Sequence, residues 1–337
     1  MNNLDPKTLY QLPLSWARTK TAVPALNKIK LPYSSTGWIP TAEIPLGATF
    51  DEVYREHLAT LPNGFVLQSC GLHLRDYLLQ QGCQAAPMGA EAILDLPWRG
   101  KRSVRDLARR GRRHGFVREI ELGPQQQHKL ARLIKSSSAR QGVQLRHTER
   151  TAFDASTRCF VFETVEKAWV GAITLSRNAP HTFHTELLLR HREAPVGIME
   201  ALITAIAEQL TLENVRHLSL GAVTPIPEAA IDGILAPSRH LDELWRRSQL
   251  AFRLARGFNF AFNAEGLWRF KNKFSPRWEP LYLCASPRLN WTTMAGLLQA
   301  TGYVDLVKER LLDSLPLSWP GAPPRRPSIE TVSMASR

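Results

Sequence analysis

Apolar positions along the chain recur with two different periods. Short apolar or alternating runs at Gly64 to Ser69, Ala92 to Leu96 and Phe116 to Glu121 predict strands. Between the first two, Leu74, Tyr77 and Leu78 fall on one face of a helix over about 71–81. A helix at Lys101 to His114 sets Val104, Leu107, Ala108 and Gly111 on one side, and Gly115 ends it. Pro124 opens the next, through about Ala139, with Leu130, Leu133 and Ile134 inward. The pattern then begins afresh. Arg158 to Glu163 and Ala168 to Ser176 read as a hairpin, Thr182 to Arg190 as a strand, and Ile198, Met199, Leu202, Ile203, Ile206 and Leu210 as the buried stripe of a helix. A strand at Val215 to Gly221 and a helix marked by Leu241, Leu244, Trp245, Phe252 and Ala255 precede an aromatic-rich segment at 258–284. Each half thus gives strands and helices in turn, which predicts an α/β (α+β) fold of two related units side by side, mixed sheets flanked by helices.

The flanks lack such periods. Residues 1–45 carry Pro13, Pro24, Pro32, Pro40 and Pro45, and predict an extended arm. Residues 316–337 combine prolines with small polar residues and predict a disordered tail. The body between them divides into a first unit at 46–140 and a second at 141–315. The longest apolar stretch, Val196 to Leu212, is broken by Glu200, Glu208 and Gln209, too polar to cross a bilayer, and the N-terminus has no secretory-signal pattern. A cytoplasmic protein is expected, with Trp16 or Trp38 of the arm available to touch the inner face of a membrane. Cys70, Cys83, Cys159 and Cys284 lie far apart in sequence, which predicts buried thiols; neither a metal nor another cofactor is expected.

Charge changes the picture most. Among the 337 residues, 43 Lys plus Arg against 30 Asp plus Glu leave +13, which points to a polyanionic partner. The charge is concentrated at Arg99 to Arg118, where nine Lys or Arg residues meet the single acid Asp106. With Val104, Leu107 and Ala108 holding one face to the body, Arg102, Arg105, Arg109, Arg112 and Arg113 project outward, as repeated phosphates require. A merely solvated face is the alternative, but so many like charges at three- and four-residue spacing repel one another.

The strand, turn and helix at Glu186 to Leu210 resemble the cofactor turn of the acetyl-CoA-dependent N-acetyltransferases, except that Pro195 removes a backbone N–H from it. A more specific resemblance covers about 88–284. Met88 to Leu96 (MGAEAILDL), Gly100 to Arg105 (GKRSVR), Arg112 to Gly115 (RRHG), Glu186 to Glu200 (ELLLRHREAPVGIME), Ser219 to Gly221 (SLG) and Glu265 to Pro280 (EGLWRFKNKFSPRWEP) follow one another in order. Together they resemble the C-terminal catalytic domain of lysylphosphatidylglycerol synthase, the multiple peptide resistance factor. That resemblance implies two fused acetyltransferase-like (GNAT) units that take an amino acid from aminoacyl-tRNA and pass it to phosphatidylglycerol, relatives using other acceptors. It also implies a free-standing catalytic unit without the synthases' transmembrane flippase.

On the resemblance, Glu186 stands where the family has a functional Asp and Glu200 where it has a second; either would hold the donor's amino group or orient the acceptor. Lys271, Lys273 and Arg269 are candidates for terminal phosphates or for the oxyanion of the tetrahedral intermediate. The family's Arg three residues after its Asp falls on Leu189, so Arg190 takes its place only where a bulge shifts the strand. The expected partners are aminoacyl-tRNA, phosphatidylglycerol or another acceptor, and an anionic membrane surface. An acyl-CoA-dependent N-acyltransferase and a non-catalytic binder of tRNA or anionic lipid remain the alternatives.

Overall fold

The computed structural model describes residues 10–137, 146–147, 153, 156–224 and 264–314. The expected extended arm lies against the body. Its described part is built into the sheet as β1 (Ala17–Thr19), β2 (Ala25–Leu26), β3 (Ile29–Lys30), β4 (Gly37–Trp38) and β5 (Ala42–Pro45). Strands of two to four residues are too short to show a period, which is why the prolines dominated the sequence pattern. Trp16 and Trp38 are fully buried, so neither reaches a membrane. Arg18 ties the segment down: its guanidinium donates to the carbonyl oxygens of Tyr10, Pro45, Leu46 and Ala48.

Helix α1 (Phe50–Val53) starts from a capping box between Thr49 and Glu52 and continues as a π-helical turn over Tyr54–Leu58. The chain then runs through β6 (Phe65–Cys70), α2 (Leu72–Gln80), β7 (Gln84–Asp95), α3 (Arg102–Arg112), β8 (Gly115–Ile120) and α4 (Pro124–Ser136). The second half gives β9 (Arg158–Thr164), β10 (Trp169–Ala179), β11 (Thr182–Arg190), α5 (Ile198–Leu212), β12 (His217–Val223), α6 (Ala264–Asn272), β13 (Arg277–Ser286), α7 (Trp291–Ala300) and α8 (Tyr303–Ser314). The helix expected around Leu241 to Ala255 and the expected tail lie outside the described residues.

Among the described residues all 13 strands join one mixed sheet. Its central order is β10-β11-β12-β7-β13-β6, so the late strand β13 lies between two strands of the first half. Side-chain alternation assigns the two faces. Ile173, Leu175, Phe183, Leu218 and Leu220 pack with α3 and α5 on one face. Ala172, Leu187 and Leu189 pack under α4 on the other.

Helices α3 and α5 meet through glycine. A Cβ on Gly111 would lie 2.4 Å from the Gly197 oxygen, and one on Gly197 would lie 2.1 Å from the Leu107 oxygen. Gly197 caps α5 in the left-handed region at φ 95°, a conformation that favours glycine. The basic helix is thereby seated on the first turn of α5.

Candidate active site

Strands β11 and β12 run parallel but pair only from Thr182↔His217 to His184↔Ser219, although both continue beyond. Irregularities flank the place where pairing stops. On β11 the register passes from Leu187↔Thr174 to Thr185↔Leu175, which leaves Glu186 as the extra residue of a bulge. On β12 the pairing with β7 steps from Ser219↔Ile93 to Ala222↔Glu91, with Gly221 at φ 84°.

Polar side chains gather around this split. The Ser176 hydroxyl donates to Glu186 Oε1 at 2.7 Å, and His184 Nε2 stands 3.2 Å from the same oxygen. Glu91 of β7 is buried, and burial pushes its carboxyl upward, opposed by a hydrogen bond from Ser219 and by the charges of His184, Lys271 and Arg277. From α6, Lys271 Nζ donates to the Ala222 carbonyl oxygen at 2.8 Å. Its side chain is buried, which pushes the amine down to about 7 against the opposing pull of Glu91. His184, the Thr185 hydroxyl and Asn178 Oδ1 are buried and complete no hydrogen bond among the described residues. Two carboxylates, an imidazole and an amine poised near neutrality are the groups that move protons and hold an ammonium.

Of the residues expected from sequence, Glu186 and Lys271 both come to this split. The others go elsewhere. Glu200, buried in the first turn of α5, pairs with Lys273 at 3.5 Å. Arg269 reaches Glu265 along the exposed side of α6. Leu189 is packed under α4, and Arg190 donates to the Ala194 carbonyl at 2.7 Å in the turn before α5. A bulge is present on β11, yet the alternation after it turns Arg190 to the face opposite Glu186.

On α3, Arg102 and Arg109 flank Asp106, and Arg112 pairs with Glu208 of α5 at 3.1 Å. Arg105, Arg109 and Arg112 line a groove of about 690 Å³ between α3 and α5, floored in part by Trp98 and Thr204. Arg113 is exposed at the helix end. The basic helix packs on the Leu175 face of the sheet, whereas Ser176, His184 and Glu186 stand on the other.

Glu91, Ser219 and His184 were not singled out from sequence as site residues. A signal existed for Glu91: a lone carboxylate inside the apolar run Ala90 to Leu94, which a sheet buries only with partners. His184 gave none, because its value comes from a bulge two residues away.

Among the described residues no three His, Cys, Asp or Glu side chains gather as a metal site, and no helix is long and apolar enough to cross a membrane. The fold is similar to that of L-PGS from Bacillus licheniformis, at 15% identity and a TM-score of 0.61, over 89% of this chain and 97% of that one. It is also similar to the C-terminal domain described for a lysylphosphatidylglycerol synthetase from Agrobacterium fabrum, at 19% identity and a TM-score of 0.59, over 83% of this chain and 85% of that one. No curated protein matches the chain. The pattern of the family described as phosphatidylglycerol lysyltransferase, C-terminal, matches residues 41–285, which include Glu91, Glu186, Glu200 and Lys271, and the chain belongs to that family of transferases.

Proposed function

We propose that the chain is an aminoacyl-tRNA-dependent aminoacyltransferase that moves an amino acid to phosphatidylglycerol or to another hydroxyl or amino acceptor. The observation that carries this reading is the convergence of Glu186 and Lys271 at the split between β11 and β12, inside the family match. Attack by an acceptor on the 3′ ester requires a group to receive its proton and positive charge for the oxyanion. Lys271 offers either, according to its protonation. Glu186, fixed by Ser176 and beside His184, offers a carboxylate for the donor's ammonium. The arginines of α3 supply phosphate contacts for the RNA, and the split gives the ester a way to the carboxylates.

The acyl-CoA reading has a structural observation against it besides Pro195. Such an enzyme offers the first turn of α5 to pyrophosphate, but here α3 packs on Gly197 so closely that the Leu107 carbonyl oxygen lies 2.1 Å from where a Cβ would stand. An anion placed there meets a negative dipole. Calorimetry with acetyl-CoA is expected to show no micromolar binding.

The deciding experiment is incubation with radiolabelled aminoacyl-tRNAs and total lipid or small-molecule acceptors. Transfer of label from one tRNA species supports the proposal. Tight tRNA binding with no transfer to any acceptor leaves a binding protein instead.

A further inference from the structure

Glu91 and Lys271 are joined by more than their charges. Ala222, whose carbonyl oxygen accepts from Lys271 Nζ at 2.8 Å, stands opposite Glu91 in the β12–β7 register. One residue earlier, the Gly221 N–H donates to Ser219 Oγ at 3.0 Å, and the Ser219 hydroxyl faces the Glu91 carboxyl, opposing the upward push of burial on it. A Cβ on Gly221 would stand 3.4 Å from Lys271 Nζ and 3.6 Å from both Thr185 oxygens, so glycine keeps this point open. The Thr185 hydroxyl there is buried and has no hydrogen-bond partner among the described residues, which marks a place where a further polar group belongs.

Resting on the aminoacyl transfer above, we propose that Glu91, which stands opposite Ala222 across the β12–β7 register, is a positioning residue whose charge acts on Lys271 Nζ, held by the Ala222 carbonyl at the parting of β11 and β12, where Lys271 carries the acceptor's proton. In the first half of the step the acceptor O–H or N–H loses its proton to the Lys271 amine as its heteroatom bonds the aminoacyl carbonyl carbon. In the second half the tetrahedral intermediate collapses, the ester bond to the tRNA ribose breaks, and the Lys271 ammonium protonates the departing oxygen. No further reactant is needed. Burial favours the neutral amine and Glu91 opposes it, which leaves Nζ able to accept and return a proton near neutral pH. The groups that bear on this pair are Glu91 from β7 on Lys271, and His184 from β11 and Arg277 from β13 on Glu91.

The test is transfer rate against pH for the wild type and for Glu91→Gln, Ser219→Ala and Lys271→Gln, with ¹⁵N-lysine NMR following Lys271 Nζ. The wild-type rate is expected to rise through pH about 7, the value to which burial takes the amine. Glu91→Gln removes the charge that holds the amine's pKa up, so the rising limb moves down by roughly one pH unit. Ser219→Ala, which leaves the carboxyl more readily protonated, moves it the same way and serves where Glu91→Gln does not fold. Lys271→Gln is expected to lose roughly a hundredfold at every pH. Wild-type and Glu91→Gln profiles that superimpose, or a Lys271→Gln rate within a few-fold of wild type, overturn the proposal. If the wild type transfers from no charged tRNA, the proposed function fails, and the NMR decides the linkage by itself. Nζ titrating near 7 and lower in Glu91→Gln upholds it; an ordinary lysine titration in both overturns it.

Discussion

At the scale of single residues, the candidate site depends on where one extra residue was placed in β11. Glu186 occupies the bulge, on the face of His184 and Ser176, and the extra residue turns Leu187 to that same face, where it packs under α4. Glu186→Gln keeps an oxygen to accept from Ser176 but loses the charge. It is expected to reduce aminoacyl transfer by about 10² or more while leaving the circular dichroism spectrum unchanged; full activity would return Glu186 to a sheet-packing role. Glu186 and Lys271 stand out in sequence because each lies in a long motif that resembles the family's. Glu91 lies in the motif Met88 to Leu96 as well, but its surroundings, Ser219 and Lys271, come from a strand and a helix far along the chain, and only the folded register brings them together. Glu200, read on the motif of Glu186, forms an ion pair with Lys273 and does not join that residue.

At the scale of elements, α3 follows the apolar pattern, with Val104, Ala108 and Gly111 in its buried stripe and Leu107 half-buried beside them. The outward arginines follow from that stripe. Replacing Arg109 and Arg113 with alanine should weaken tRNA binding and flatten its dependence on log salt by about 1.5, the release of counterions from roughly two phosphates. An unchanged slope would remove α3 from the contact. How α3 is seated was not readable, because the glycine contact joins residues far apart in sequence. Gly197→Ala both enters the left-handed region and drives a methyl into the Leu107 carbonyl. A loss of about 2 kcal/mol or more in urea unfolding is expected. The short strands β1 to β5 were invisible for the opposite reason: elements of two to four residues hold no period to read.

At the scale of the whole molecule, the buried lysine leaves a signature in stability. Its folded-state pKa lies below the unfolded value of about 10.4, so the unfolded chain binds the extra proton between the two. Lys271 therefore costs stability below pH about 7, and that cost is relieved as the pH rises toward the unfolded value. In Lys271→Met the rise over this window should vanish in urea melts taken from pH 6 to 10, and a persistent rise would assign it to other groups. The alternation of strands and helices made the mixed α/β class readable, and two units side by side were the natural expectation. What the alternation could not show is that β13 threads between β7 and β6. This interleaving sets a condition on biosynthesis. On the ribosome, the nascent first half exposes two unpaired strand edges until residues up to Ser286 have emerged. At ordinary elongation rates of roughly 5–20 residues per second, that wait after Asp95 lasts about 10 to 40 s, a window in which a chaperone has open backbone to hold.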